Sequence, residues 1–482
     1  MNLKIVLRSL GMLLVCECLT LLLPLATSLI YGDGDTKSFL LTMLIIILCA
    51  VPMLLIKPTD RNIYPKQGFA IVAIGWLLIS FFGALPFYIS GAIPSFIDAF
   101  FESSSGFTTT GSTILTEIES LPRGILLWRS FTHWVGGMGI LVLTIALLPS
   151  MGMGTMQVMK AESPGPIVGK IVPKIGASAK ILYCIYLCLT LLETVLLMLA
   201  GMSLYDALIH SFGTLGTGGF SNKNISVGYY DSALIDGIIT TFMIFSGINF
   251  SLYYFIIKRN FKGFWKDQEL RLYLTILSLA IVLIMINLMS NGIYTSLGSA
   301  FRYTSFQVAS IMTTTGYATA DFNLWPMFSK TLLLLIMFFG GCAGSTAGGI
   351  KISRIIIGFK NLKASFKRII HPNGCYIVRL NDKKVDAQTV LGVNTYFFVY
   401  MMVFFIGVLI ISINNFDPAT TVTSVIATLN NIGPGIEMVG PMGNFAEFSA
   451  LSKLTFSVLM IIGRVEIYPL LLLLVPELWK KN

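Results

Sequence analysis

Four similar short stretches recur along this chain, each rich in glycine and each placed between hydrophobic segments. Aligned on Gly111, Gly218, Gly316 and Gly433, they are separated by 107, 98 and 117 residues (218−111, 316−218, 433−316), which predicts four similar structural units. At membrane depth, non-helical backbone of this kind is tolerated only where it is buried in protein or lines a water-filled cavity. The stretches are residues 106–112, 214–220, 312–318 and 430–435.

These stretches predict a filter for cations. Glycine adopts positive φ at little steric cost, so it lets neighbouring carbonyl groups turn toward a common axis. Four such segments on one axis would form a ring of carbonyl oxygens that replaces the hydration shell of a cation. Packing between helices is the alternative use of such residues. Thr110, Thr217 and Thr315 can add hydroxyl contacts, whereas Ile432 cannot. The predicted filter residues are Thr109, Thr110, Gly111, Gly216, Thr217, Gly218, Thr314, Thr315, Gly316, Asn431, Ile432 and Gly433.

Hydrophobicity places the chain in a membrane. Of its 482 residues, 55% are hydrophobic and 12% are charged, and several apolar runs reach the roughly 20 residues that a helix needs to cross the hydrocarbon core. We predict an all-α integral membrane protein with ten transmembrane helices. The seven cysteines show no disulfide or zinc pattern. The predicted spans are residues 9–31, 38–57, 68–90, 125–148, 181–200, 233–257, 272–290, 329–357, 389–412 and 449–475.

Each of the four units has the same predicted order: a span, a short helix, the glycine-rich stretch and a second span. The short helices, at residues 95–107, 203–213, 299–311 and 418–429, are too short to cross the membrane, which is typical of re-entrant half-helices. Two further helices precede the first unit. The predicted division is 1–60 for this N-terminal extension, then 61–160, 161–265, 266–385 and 386–482 for pore units 1 to 4.

The basic residues follow the membrane rather than a nucleic-acid partner, although the net charge is +10. Most of them fall in alternate loops and in the C-terminal tail, which predicts that these loops and both termini are cytoplasmic. The opposite mouth is then acidic and would concentrate cations. The basic segment 351–388 suits either a regulatory subunit or anionic lipid. The loops assigned to the cytoplasm are 57–66, 151–180, 258–271 and 351–388.

A glycine-rich run interrupts the second span of the third unit. Six of its ten residues are Gly or Ser, too many for a stable helix when each Gly costs about 1 kcal/mol relative to Ala. We therefore predict a break below the filter. A phosphate-binding loop is the alternative, but no predicted strand precedes the run. Its residues are Gly340, Gly341, Cys342, Ala343, Gly344, Ser345, Thr346, Ala347, Gly348 and Gly349.

When every other basic residue is counted to a loop, a terminus or a membrane face, with Arg129 and Lys453 at the outer face, Arg464 is the one left in the interior of a predicted span. A charge at that depth is costly and marks a functional site by default. The alternative is a structural role, in which Arg464 pairs with Glu193 or caps loop carbonyls. Glu466 lies about 200° further around an ideal helix, so it is not expected to face Arg464.

Four other polar residues lie near the predicted filter. His133 suits helix packing better than a proton relay, because glycines surround it. His210 is expected at the end of the second half-helix, bracing the filter. Asp98 and Glu102 share a helix face and either attract cations or accept hydrogen bonds behind the filter.

The glycine-rich stretches resemble the filter segments of the Trk/Ktr/HKT superfamily of potassium transporters. The two extra leading helices and the tail 463–468 make the chain more similar to the bacterial TrkH branch than to KtrB. The resemblance covers essentially the whole chain. The segments that carry it are Thr108-Thr109-Thr110-Gly111, Gly216-Thr217-Gly218-Gly219, Thr313-Thr314-Thr315-Gly316 and Asn430-Asn431-Ile432-Gly433-Pro434-Gly435.

This resemblance implies a channel-like potassium uptake protein of the bacterial inner membrane. It implies pseudo-fourfold units around a central pore, a homodimer, and a cytoplasmic nucleotide-binding regulatory subunit of the TrkA type. Residues 340–349 would be an intramembrane loop that obstructs the pore and moves during gating, with Arg464 in the cavity below the filter. Family members often have Gly where this chain has Ala347. The bound ion would be potassium, with no organic cofactor and no enzyme activity.

A solute- or proton-coupled secondary transporter is the main alternative, because broken helices and repeats occur there too. It predicts two inverted halves, whereas this sequence has four units of the same sense. A membrane enzyme would need clustered acids or metal ligands, and the chain has only three histidines. We further expect moderate selectivity, with potassium and rubidium passing and sodium and lithium disfavoured.

Overall fold

The structure, a computed structural model, describes residues 2–58, 63–139 and 175–480. These residues are mostly helical, with one short antiparallel hairpin of β1 (Arg379–Leu380) and β2 (Lys383–Lys384). The N-terminal extension consists of α1 (Leu3–Thr20), α2 (Leu22–Tyr31) and α3 (Thr36–Leu55). The first unit contains α4 (Pro65–Ile89), α5 (Phe96–Phe107) and α6 (Arg123–Gly137).

The remaining three units repeat this order with variations. The second contains α7 (Ile175–Leu199), α8 (Leu204–Gly216), α9 (Ala233–Ser246) and α10 (Phe250–Ile257), followed by the short α11 (Phe261–Lys266). The third contains α12 (Gln268–Ser290), α13 (Leu297–Met312), α14 (Met327–Ile336) and α15 (Ile352–Ile370). The fourth contains α16 (Ala387–Ile411), α17 (Pro418–Leu429), α18 (Ala450–Arg464), α19 (Tyr468–Leu472) and α20 (Pro476–Trp479).

The N-terminal extension is joined to the first unit through the acidic turn between α2 and α3. The N-cap residue of helix α6 is Pro122, and its side chain makes no capping hydrogen bond to the helix. Asp33 accepts a hydrogen bond from the backbone N–H of Arg123 at 3.0 Å, and Asp35 accepts one from that of Ile125 at 3.1 Å. The turn therefore satisfies N–H groups that a helix start leaves without intrahelical partners.

The four predicted half-helices are present as α5, α8, α13 and α17, and three of them begin with a side-chain cap. Ser95 accepts from the backbone N–H of Asp98, and Ser203 from that of Asp206. At α17 the cap is Asp417, with Pro418 in the first helical position. Caps of this kind satisfy the first free N–H groups of a helix, so the local sequence fixes where these three half-helices start.

Six described helices are long and apolar enough to cross a membrane, and α9 with α10 makes a seventh if the bent pair is one span. They leave large apolar side chains exposed, among them Leu48, Leu199 and Leu409, as expected where helices face lipid. The chain is thus a multi-pass membrane protein. The total of ten spans stays a prediction. Residues 140–148 of one predicted span and residues 151–174 of the predicted loop 151–180 lie outside the described residues.

Among the described residues, the second span is interrupted in three units. The predicted break at 340–349 is confirmed, because no helix covers the residues between α14 and α15. The continuous spans predicted over 233–257 and 449–475 are wrong. Helices α9 and α10 meet at 98°, and α18 ends at Arg464, where Glu466 and Ile467 take φ of 65° and 68°.

Candidate functional site

Equivalent positions of the four filter segments are identified by one repeated hydrogen bond. In each unit a backbone N–H just beyond the half-helix donates to the carbonyl five residues earlier. This shared bond gives the structural alignment independently of residue type. The four bonds run from Thr110 to Ser105 (2.9 Å), Gly218 to Gly213 (2.8 Å), Thr315 to Ser310 (2.8 Å) and Ile432 to Ala427 (2.8 Å).

The glycine register predicted for the second unit is wrong by one residue. The structural equivalent of Gly111 is Gly219, whose φ is 75°, and not Gly218. The corrected steps around it are 108 and 97 residues (219−111, 316−219). Two adjacent glycines made the sequence ambiguous here. The positive-φ glycines are Gly111 (82°), Gly219 (75°), Gly316 (83°) and Gly433 (99°).

Each of these glycines makes room for a carbonyl oxygen of the next unit. A Cβ atom at any of the four would lie within 3.0 Å of that oxygen, closer than real Cβ contacts come. The chain of neighbours closes on itself, and Ser112 also donates to the carbonyl of Gly433 at 3.1 Å, across 321 residues. The glycine-to-oxygen neighbours are Gly111 to Gly218, Gly219 to Thr315, Gly316 to Ile432 and Gly433 to Thr110.

The four carbonyl oxygens of Thr110, Gly218, Thr315 and Ile432 therefore lie in a closed ring. This confirms the pseudo-fourfold arrangement of the units. A ring of uncharged backbone oxygens can replace the water around a desolvated cation. We call these carbonyls the filter ring. Gly218 thus contributes its carbonyl to the ring, although the required glycine is its neighbour.

The hydroxyls of Thr110, Thr217 and Thr315, for which the sequence allowed contacts with the ion, are bonded to protein groups. The hydroxyl of Thr110 lies 2.8 Å from that of Thr108 and accepts a bond from Asn431 Nδ2 at 2.9 Å. Likewise Thr315 is 2.8 Å from Thr313. Thr217 was grouped with Thr110 and Thr315, but the corrected register aligns it with Thr109 and its hydroxyl donates to Gly216. Backbone oxygens are therefore the available ligands of the ring.

An ion pair supports the outer side of the filter. Arg129 Nε lies 2.6 Å from Glu102 Oε1, with side chains only 2% and 0% exposed. Arg129 also donates to the carbonyl of Ser221 at 2.9 Å, and Glu102 accepts from the backbone N–H of Ile114 at 3.0 Å. The pair thus joins the segments that follow the filter in units 1 and 2.

Asp98 and Glu102 on α5 were expected either to attract cations or to accept hydrogen bonds behind the filter. Glu102 accepts hydrogen bonds there. Asp98 instead forms an ion pair with Lys453 at 2.8 Å, joining units 1 and 4. The sequence did not single out Arg129 or Lys453, which were counted as outer-face charges. The signal for Arg129 was its position within an apolar run of α6.

The two filter-side histidines act as packing residues. His133 lies against the carbonyl of Gly106 at 2.7 Å and stacks on Phe220 with ring centroids 4.2 Å apart. A Cβ atom on Gly218 would collide with its ring. His210 lies within α8 rather than at its end, and its Nε2 is 3.1 Å from the hydroxyl of Ser221.

The glycine-rich loop between α14 and α15 lies directly against the filter segments. The backbone N–H of Gly348 donates to the hydroxyl of Thr314 at 2.7 Å, and a Cβ on Gly348 would meet the carbonyl of Asn430. Where the two ends of the loop meet, the backbone N–H of Gly340 donates to the carbonyl of Ile350 at 3.0 Å. The loop is therefore a closed structure that touches units 3 and 4.

The bend between α9 and α10 holds the other side of this loop. The N–H of Cys342 donates to the carbonyl of Gly247 at 2.9 Å, and the N–H of Phe250 to that of Gly344 at 3.0 Å. Glu269, at the start of α12, accepts from the N–H of Ala343 at 2.6 Å. The break in the second unit thus exposes backbone groups that bind the loop.

Arg464 caps carbonyl groups, which is one of the two structural roles considered for it. It donates to Thr346 of the loop at 2.7 Å and to Gly136 at the end of α6 at 2.6 Å, and also to Gly137. It therefore joins the loop to unit 1. Both carboxylate oxygens of Glu193 are buried without a hydrogen-bond partner in the described part of the chain, so the alternative that paired Glu193 with Arg464 is not supported.

The sequence analysis did not identify a second set of charged residues close to the loop. Arg354 forms an ion pair with Glu466, and Lys351 donates to the carbonyl of Ala347 in the loop. Both cations are buried, although the sequence assigned them to a cytoplasmic loop. Two basic side chains, those of Lys351 and Arg464, therefore contact the loop, and Glu466 holds a third, that of Arg354, near Arg464.

Outside the filter lies a cavity of about 240 Å³. Its lining includes Gly111, Gly219, Gly316 and Gly433, so it opens onto the filter ring. Within the described ranges, no group of three or more His, Cys, Asp or Glu residues could hold a metal ion. The site is therefore built from backbone oxygens rather than from acidic metal ligands.

Comparison with known proteins gives matches along the whole chain. The family model described as "TrkH: Cation transport protein" matches residues 36–481. The Trk system potassium uptake protein TrkH of Salmonella typhimurium is 38% identical, and that of Escherichia coli strain K12 is 37% identical, each with 100% of both chains covered. The crystal structure of the potassium transporter TrkH from Vibrio parahaemolyticus matches with a TM-score of 0.89 at 36% identity, covering 100% of both chains. This chain belongs to the TrkH family of cation transport proteins.

Proposed function

We propose that this chain takes up potassium across the bacterial inner membrane by conducting the ion through the filter ring. The single observation that carries the proposal is the closed ring of four equivalent carbonyls, each packed against a glycine of the neighbouring unit. Uncharged oxygens in this arrangement replace a potassium hydration shell. The relatives named above are potassium uptake proteins by name, and the family is one of transporters rather than enzymes.

Potassium binding is assigned to the predicted filter residues together with Gly219. The filter-ring carbonyls are the primary ligands, and the residues on either side hold their orientation. Thr109, Thr217, Thr314 and Asn431 all take φ between 55° and 57°, which turns successive carbonyls in the same way in each unit. No organic cofactor is proposed.

Residues 340–349 and Arg464 form the gate in this proposal. The contact between Gly348 and Thr314 supports it, because the loop then lies across the inner end of the filter. Arg464 supports it in a second way. Its charge lies beside the ion path and opposes cation flow, and its bonds to Thr346 and Gly136 hold the loop in place.

The regulatory partner is proposed to be a TrkA-type nucleotide-binding subunit on the cytoplasmic side, where both termini also lie. The basic segment 351–388 is the docking surface in this proposal, since α15 follows the gate directly. Its outer part exposes Phe359, Phe366 and Ile369 beside basic residues, a composition that also suits lipid. In this proposal the protein is a homodimer, and each chain is divided into the N-terminal extension and the four pore units at the boundaries given above. Nucleic acid is not a partner.

The experiment that tests this function is rubidium uptake into liposomes containing the purified protein under an imposed potassium gradient. We expect uptake that excess potassium inhibits and that equal concentrations of sodium or lithium inhibit weakly. A TrkA-type subunit with nucleotide should increase the rate if the gate is closed without it. Liposomes without protein are the control.

Absence of uptake in the presence of the regulatory subunit would overturn the proposal. Uptake that sodium inhibits as strongly as potassium would overturn the assignment of the filter ring as a potassium-selective site. Uptake driven only by an imposed proton gradient would favour the coupled transporter.

A further inference from the structure

Four equivalent side chains mark the inner end of the filter, one position before the filter ring. They are alike in backbone conformation, with φ between 55° and 57°, and all four residues are fully buried. Their hydrogen bonds nevertheless differ from unit to unit. The four residues are Thr109, Thr217, Thr314 and Asn431.

Only one of these side chains is bonded to the glycine-rich loop in the described part of the chain. Thr314 accepts the backbone N–H of Gly348 at 2.7 Å. Thr217 donates to the carbonyl of Gly216 at 2.6 Å, and Asn431 donates to Thr110 and to the carbonyl of Met460, both at 2.9 Å. The hydroxyl of Thr109 has no hydrogen-bond partner among the described residues.

The hydrogen bond between Thr314 and Gly348 links the filter to the glycine-rich loop. Thr314 is followed directly by Thr315, whose carbonyl belongs to the filter ring. Gly348 belongs to the loop that the proposed function assigns to gating. If the loop withdraws, the Gly348 N–H and the Thr314 hydroxyl must both find other partners, because buried polar groups without partners are costly.

We propose that Thr314 is a positioning residue that couples the gate to the filter through its hydrogen bond with Gly348. The loop is held under the filter partly by this hydroxyl, and the third filter segment is held by the loop in return. The inference rests on the proposed function, since it takes residues 340–349 to be the gate. It assigns the coupling to the third unit and not to the other three.

Such coupling is reciprocal, because any energetic link between two sites acts in both directions. A cation bound at the filter ring changes the position or stability of Thr315, and through Thr314 it changes the stability of the loop. Cation occupancy should therefore alter loop opening in the wild type. Removal of the hydroxyl should weaken this dependence.

The chain contains its own reporter of loop opening. Cys342 lies in the loop and is fully buried. Its reaction with 2-aminoethyl methanethiosulfonate therefore requires the loop to move. The experiment uses a background in which the other six cysteines are replaced by serine and which elutes as a single species in detergent. These are Cys16, Cys18, Cys49, Cys184, Cys188 and Cys375.

The test compares the labelling rate of Cys342 in four proteins. Thr314→Val removes the hydroxyl and keeps a β-branched side chain. We expect it to label faster by about 3- to 10-fold, the effect of losing one net hydrogen bond. Thr314→Ser keeps the hydroxyl and should label at the wild-type rate. Thr109→Val makes the same change at an equivalent filter site whose hydroxyl has no bond to the loop among the described residues. It should accelerate labelling less than Thr314→Val does.

Two outcomes would overturn the inference. One is equal labelling in Thr314→Val and the wild type. The other is equal acceleration in Thr314→Val and Thr109→Val, which would indicate a general effect of filter damage. Replacing potassium with N-methylglucamine should change the wild-type rate more than that of Thr314→Val. Because labelling does not require transport, failure of the proposed function would appear separately, as missing rubidium uptake.

Discussion

Replacing Gly316 with serine should reduce the discrimination between rubidium and sodium by about tenfold, a change of only about 1.4 kcal/mol in relative binding free energy. Gly316 has a φ of 83°, where side chains are disfavoured, and its added Cβ would collide with the carbonyl of Ile432. The backbone must then shift, and one of the four ring oxygens leaves its position. The measurement is sodium inhibition of rubidium uptake into liposomes.

A matched control separates this effect from a general response to serine. Gly237 lies in α9, and a Cβ there would meet nothing within 4 Å. The variant Gly237→Ser should therefore keep wild-type selectivity. Both variants should elute as single species in detergent before they are compared. Unchanged selectivity in Gly316→Ser would mean that the filter ring does not select the ion.

Removing Glu102 should cause the largest loss of stability among the substitutions considered. The variant Glu102→Ala leaves the buried guanidinium of Arg129 without its ion-pair partner. Breaking a buried pair in this way costs about 3–5 kcal/mol. We expect a large fall in the midpoint of thermal unfolding in detergent. Rubidium uptake should also fall, because the pair joins the segments beyond the filter.

Two comparisons test whether the pair itself is responsible. The double variant Glu102→Met with Arg129→Met leaves no buried charge and should recover more than half of the lost stability. The variant Asp98→Asn alters the pair with Lys453, in which Asp98 is 26% exposed, and it should cost less than Glu102→Ala because solvent screens this pair in part. If the double variant is no more stable than Glu102→Ala, the lost stability does not come from the unpaired charge of Arg129.

The sequence was sufficient to predict the four units and the place of the filter, because glycine is required there by the backbone itself. It could not fix the register in the second unit. Gly218 and Gly219 are adjacent, and only the repeated backbone bond and the sign of φ distinguish them. Residue type alone carries no information about which of two glycines has positive φ.

The sequence also predicted only some of the breaks in the second spans. Residues 340–349 are so rich in glycine that a helix there is unfavourable by composition alone. The break between α9 and α10 spans only residues 247–249, and its backbone groups are satisfied by the loop of another unit. Local sequence does not reveal a partner that is distant along the chain.

The buried ion pairs were not predictable for a related reason. Charge counting assigns Arg129, Lys351 and Arg354 to loops or membrane faces. Burial of each depends on which helices meet around it, and the ion-pair partners of Arg129 and Arg354, which are Glu102 and Glu466, lie on other segments. Arg464 was identified because it interrupts an apolar run, but the carbonyls that it binds come from units 1 and 3.

The closed ring also has a consequence for synthesis. Its last contact joins the first unit to the fourth, as in the bond from Ser112 to Gly433 across 321 residues. A ribosome must therefore complete nearly the whole chain before the ring can close. Until then, the carbonyl of Thr110 has no neighbouring glycine from the fourth unit. Partly made protein is thus expected to depend on the insertion machinery to shield polar backbone from lipid.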